Sequence, residues 1–219
     1  MIERHYPAAT RVMRAIVPLR ILPICLLFLV PTPPALPEVQ RQTDAQTGLL
    51  RWTLREGPLR FDLVQRLPDQ TRAFFLARGF PKAEADRLAE ACVFQAIGRN
   101  TGTPGQAPAV HIDLGQWRVR AGGSEAPPLL KEQWLDDWGR SGAVSPPARL
   151  AFRWATFPSV QTFEPRGDYN WGMISFGPPP GASFDLEMVW HEGAQRRSAW
   201  IEGLQCPPEA APRLEETRP

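Results

Sequence analysis

Residues 49–63 read LLRWTLREGPLRFDL. Leu50, Trp52 and Leu54 alternate with Arg51, Thr53 and Arg55, and after Glu56-Gly57-Pro58 the alternation resumes with Leu59, Phe61 and Leu63. Successive side chains of a strand point to opposite faces, so a period of two on both sides of a turn predicts an antiparallel hairpin with one face in a core. The rest of the chain extends this β-rich beginning.

Toward the C-terminus, Asp69 to Arg78 opens after Pro68 and stops at Gly79, and Pro81 can start a second helix at its first position. Ala85, Leu88, Ala89 and Cys92 then fall at i, i+3, i+4 and i+7, one apolar stripe that turns Cys92 to the core. Asn100 to Pro108 (NTGTPGQAP) reads as a loop. Val110, Ile112 and Leu114 alternate with polar residues until Gly115 shifts the phase to Trp117 and Val119, as a bulge would. Leu130, Trp134 and Trp138 recur every fourth residue, a short helix that Gly139 could end. From Ser145 onward strands are expected at Leu150-Phe152-Trp154, Tyr169-Trp171-Met173, Phe184 to Trp190 and Arg197 to Cys206. The fold expected is α+β, mainly antiparallel sheet of sandwich or meander type, with two or three short helices in the first half. It forms a single domain over 49–207, followed by a polar tail at 208–219.

Toward the N-terminus, Pro31 to Gly48 has no period and reads as a linker over 37–48. Before it, Arg4, Arg11, Arg14 and Arg20 precede the uncharged run Ile21 to Val30, the order of an export signal. The run is shorter than the ~20 residues of a membrane span, which favours a cleaved signal peptide over 1–36, with an inner-membrane anchor as the alternative. Cys25 lies inside the run, where lipidation does not occur. The expected location is therefore periplasmic or secreted, with the membrane touched only through an uncleaved N-terminal segment.

This leader holds four of the 25 basic residues and one of the 23 acidic ones, so the remainder carries 21 against 22, about −1. The folded part has no basic excess for nucleic acid. The scarcity of lysine, with only Lys82 and Lys131, fits a GC-rich bacterial source. Cys92 and Cys206 remain as an even pair bound for an oxidising space, and a disulfide between them is expected.

Candidate chemistry is sparse. His111, near Asp113, and His191 fall on polar strand faces, and if the strands meet they could bind zinc or copper, with Met173 or Met188 adding a thioether. Against this, both methionines sit on apolar faces and suit core packing. No GxSxG elbow or phosphate-binding glycine loop occurs, and pairs such as Asp136-Asp137 read as solvated surface. Thr162 to Gly177 concentrates aromatics, charges and glycines: the reading favoured is a tight turn at Gly167-Asp168 with Trp171 entering the core, and the alternative is that Arg166, Asp168, Tyr169, Asn170 and Trp171, residue types that anchor interfaces, form a contact surface. By elimination, the function expected is that of an exported accessory or binding protein acting through contact with an envelope protein, without a cofactor. Copper or zinc delivery and envelope hydrolysis are the alternatives.

Overall fold

The computed structural model describes residues 37–210. The expected signal peptide or anchor at 1–36, and the tail beyond 210, lie outside the described residues. In chain order the elements are β1 (Glu38–Thr43), β2 (Leu50–Glu56), β3 (Leu59–Gln65), α1 (Pro68–Leu76), α2 (Lys82–Ala89), β4 (Val93–Asn100), β5 (Val110–Asp113), β6 (Arg118–Ala121), β7 (Ser124–Ala126), α3 (Lys131–Ser141), α4 (Pro146–Ala155), β8 (Val160–Phe163), β9 (Tyr169–Ser175), β10 (Ser183–Glu192) and β11 (Gln195–Gln205). A single 3-10 turn, Leu114–Gln116, joins β5 to β6.

Two antiparallel sheets stack as a sandwich. The first runs β1-β2-β3-β4-β9, and the second runs β7-β6-β10-β5-β8 with β11 on the other side of β10. The hairpin of 49–63 is the centre of the first sheet, pairing Trp52 with Leu63 and Leu54 with Phe61. Its apolar face meets Val110, Ile112, Leu186, Met188 and Trp190 of the second sheet in one buried cluster. Gly115 lies in the 3-10 turn, where the Asp113 carboxylate accepts its N–H. That turn lets β5 and β6 pair with successive stretches of β10, the shift of phase expected of a bulge.

The helices pack on the opposite face of the first sheet. Gln70 and Gln133 accept the N–H groups of Leu67 and Leu130, closing the first turns of α1 and α3. Their apolar residues, Phe75, Phe80, Trp138 and Phe152 among them, form a second buried cluster that reaches the sheet at Val93 and Met173.

Three expectations are corrected. Residues 38–43, within the expected linker, form β1: its side chains are exposed, and the strand exists through its backbone ladder to β2. The helices are not confined to the first half, since Leu150, Phe152 and Trp154 belong to α4 and not to a strand. There Pro146 occupies the first turn, and the buried positions Ala148, Phe152 and Ala155 keep a helical period. Finally, α3 passes through Gly139 and stops at Gly142, whose φ of 68° is left-handed backbone. Cys92 falls past the end of α2, yet is buried and forms the expected disulfide with Cys206 at a Cα–Cα distance of 5.0 Å.

Candidate functional site

The outer face of the first sheet is covered by helices at one end and bare at the other. Register places Arg55, Arg60, Arg99 and Tyr169 in one row across β2, β3, β4 and β9. The next row along the strands is Thr53, Asp62, Ile97 and Trp171. Adjacent strands are about 4.8 Å apart, so each row is a nearly straight line of side chains on one surface. Met173 continues the line of Tyr169 and Trp171 but lies beneath the helices, whereas Tyr169 is 59% and Trp171 57% exposed. The strand expected at β9 is present, but Trp171 does not enter the core as expected, because the helical cover ends between Met173 and Trp171.

The charges of this face are unbalanced. Asp62 is buried, takes two hydrogen bonds from Arg60, and accepts one from Thr53 Oγ1 at 2.6 Å. Arg51, Arg55 and Arg99 enter no ion pair among the described residues, and Arg99 Nε is buried with no hydrogen-bond partner. On the outer face of the second sheet, by contrast, Arg118 pairs with Glu187, Arg120 pairs with Glu125, and Trp200 lies under the Arg120 guanidinium at 4.0 Å.

Asn100, placed by its turn-rich neighbours at the start of a loop, is the last residue of β4 and holds the corner that presents Tyr169. Fully buried, it donates to the carbonyls of Pro108 and Phe163 and accepts the Gly102 N–H. Its backbone binds Asp168 and Gly167, and Asp168 Oδ2 accepts the Glu164 N–H, so Arg166 and Asp168 serve a turn whose side chains face solvent. Asn170 points to the second sheet, donating to Gln161 and accepting the Trp171 N–H. No local pattern in the sequence marks Asn100; its role follows from pairing with segments distant in the chain.

The two histidines do meet. His111 and His191 are directly opposite across β5 and β10, with ring centroids 6.3 Å apart. Their neighbours in the row are Thr162, whose hydroxyl is 2.9 Å from His111 Nδ1, and Arg196. Asp113 is occupied in capping the 3-10 turn, and Met188 and Met173 lie in the two separate cores. The pair therefore offers two imidazoles, and among the described residues no group of three or more His, Cys, Asp or Glu is placed to hold an ion.

Concavities are shallow. The small hollow beside Trp134 and Ser175 has a volume of about 10 Å³, room for one water. An open cleft of about 450 Å³ lies between β6 and the Gly177–Gly181 turn, and none of these hollows is lined by two carboxylates. Two carboxylates do approach at the β2–β3 turn, where Glu192 accepts from Trp190 Nε1 and pairs with Arg197 at 3.5 Å. Glu56 beside them has a buried, unpartnered oxygen. Burial pushes the Glu56 carboxyl above its ordinary value of 4.5, with Arg197 opposing and Glu192 adding.

The folded chain therefore binds that proton more tightly than the unfolded chain, and stability falls as pH rises from the ordinary value through the raised one. Glu56→Gln is expected to raise Tm modestly at pH 7, with the gain vanishing below about pH 4. A pH-independent gain, or a loss at pH 7, would show that the carboxylate is compensated. Comparison of the chain with protein-family models, curated proteins and solved structures gave no match.

Proposed function

We propose that this chain is an exported, periplasmic or envelope accessory protein that acts by contact with a protein partner through a preformed sheet surface. The observation that carries this reading is the bare end of the first sheet, where Tyr169 and Trp171 stand exposed beside Arg55 and Arg99, which enter no ion pair among the described residues. Tryptophan, tyrosine and arginine dominate the energetics of protein interfaces, and a rigid antiparallel sheet presents them with little ordering left to do on binding. The basic leader with its apolar run, and the buried disulfide, support export to an oxidising compartment. The shallow clefts fit a contact surface better than an enclosed reaction site.

Crosslinking in cells that carry a C-terminally tagged chain, followed by mass spectrometry, tests the reading. The expected result is one reproducible envelope partner, with the mature chain recovered on the periplasmic side. A chain recovered only as a monomer after crosslinking would count decisively against it.

A further inference from the structure

We infer that the bare end of the first sheet docks an extended acidic segment of a partner protein, with Trp171 and Tyr169 as its anchors and Arg55 and Arg99 as its charge contacts. This inference rests on the contact reading above and names the surface and the partner's chemistry.

Three observations converge on it. The first is charge. Four arginines, Arg51, Arg55, Arg60 and Arg99, point to this face, where the carboxylate of Asp62 is already saturated by Arg60 and Thr53. Glu38, opposite Arg55 on β1, hydrogen-bonds Gln40 and forms no ion pair. The surface is left with a local positive excess although the described part of the chain is nearly neutral, and the complement of such a field is an acidic partner. The second is display. Large aromatics are normally buried, as Trp52, Trp117, Trp138 and Trp190 are, each about 1% exposed or less; Tyr169, Trp171 and Trp154 are the exposed ones among the described residues. Half-buried Trp200 is stacked by Arg120, whereas among the described residues Tyr169 and Trp171 have no aromatic or cationic partner.

The third observation is the strand edge. Beyond β9, Phe157 N–H binds the Met173 carbonyl and Leu129 N–H binds the Ser175 carbonyl, so this edge is filled at its helical end. At Trp171 the N–H is held by the Asn170 side chain, and the outward-facing carbonyl has no side-chain or loop partner among the described residues. An extended chain can cross this face along the arginine row, from the unfilled edge at Trp171 and Tyr169 over Arg99 to Arg55, about 14 Å away across three strand spacings. Arginine, tyrosine and tryptophan together favour a protein over a polymer recognised by charge alone. Trp154, 78% exposed on α4, whose following residue Thr156 bridges Met173 at the same edge, extends the apolar border.

The test titrates the full chain with a fluorescein-labelled peptide of about twenty residues made of glutamate with a tyrosine at every fifth position, followed by anisotropy. Saturable micromolar binding is expected, weakening about tenfold or more between ~50 and ~300 mM salt. Trp171→Ala and Arg55→Ala, both at exposed positions where the fold is not at risk, should each weaken it about tenfold or more, while Trp200→Ala on the other sheet changes nothing. Absence of binding up to ~1 mM, or binding indifferent to Trp171→Ala, overturns the inference. So does tighter binding of a heparin oligosaccharide or an oligothymidylate than of the peptide, which would mark a general polyanion surface. A partner crosslinked in cells that survives Trp171→Ala overturns this face and leaves the contact reading intact; a wild-type chain with no crosslinked partner overturns the contact reading itself.

Discussion

Replacing Cys92 and Cys206 together with alanine is expected to lower the free energy of unfolding by about 4 to 5 kcal/mol. The bond spans a sequence separation of 114, so its removal frees the stretch from β4 through β11, most of the domain, in the unfolded state. Loop-closure entropy grows slowly with length, and a loop this long lies near the upper end of what a disulfide contributes. Both residues are buried in the inter-sheet cluster at 1% exposure or less, so alanine leaves a small void and little strain. The bond joins the start of β4 to the residue after β11, tying the first sheet to the second at one end of the sandwich.

In urea the double variant should show a lower midpoint and a steeper slope, because its unfolded chain exposes more surface without the crosslink. An unchanged midpoint would mean that the unfolded chain is already compact around this contact. The wild-type disulfide should also resist added thiols until unfolding, since an attacking thiolate cannot reach either sulfur.

The half-buried strands were legible because burial on one face writes a period of two. The 49–63 hairpin, the β5 to β6 shift at Gly115, and β10 and β11 carry that pattern, whereas β9 alternates in residue type while its Tyr169 and Trp171 are exposed. β1 escaped because both of its faces are exposed: Glu38–Thr43 is specified by backbone pairing, which leaves no mark on side chains. β4 escaped for a different reason: its burial alternates from Phe94 through Ala96, Gly98 and Asn100, but small and polar residues hold that buried face, while Ile97 lies on the other. In α4 the large residues Leu150 and Trp154 are the exposed ones, while the buried positions are held by small alanines and Phe152. Apolar size therefore spelled an alternation that burial does not follow. The arginine row was illegible in principle: Arg55, Arg60 and Arg99 become neighbours only through the register of three strands. The segment at Tyr169 to Trp171 was visible by composition, but whether Trp171 enters a core depends on where the helical layer ends.

Trp138→Ala is expected to cost about 3 to 5 kcal/mol, with its effect concentrated in the helices. Trp138 is fully buried, meets Phe80, Phe152 and Trp134 at ring-centroid distances of 5.2, 4.8 and 5.6 Å, and donates Nε1–H to Glu84 Oε2 at 2.8 Å. Alanine removes that whole contact set and leaves a void among α2, α3 and α4 that a layer of four short helices cannot fill by sliding. The helical cluster is distinct from the inter-sheet cluster and touches the first sheet chiefly through Val93 and Met173. Hydrogen exchange should therefore show amides of α2, α3 and α4 losing protection well before those of β2, β3 and β10. Equal loss in both regions would show that the two clusters unfold as one unit. The acidic-peptide assay adds a functional arm: Tyr169, Trp171 and the arginine row are fixed by β-sheet pairing and by Asn100, so binding should survive in Trp138→Ala at temperatures where the sandwich remains folded. Loss of binding in parallel with the helices would place the contact surface on the helical layer instead.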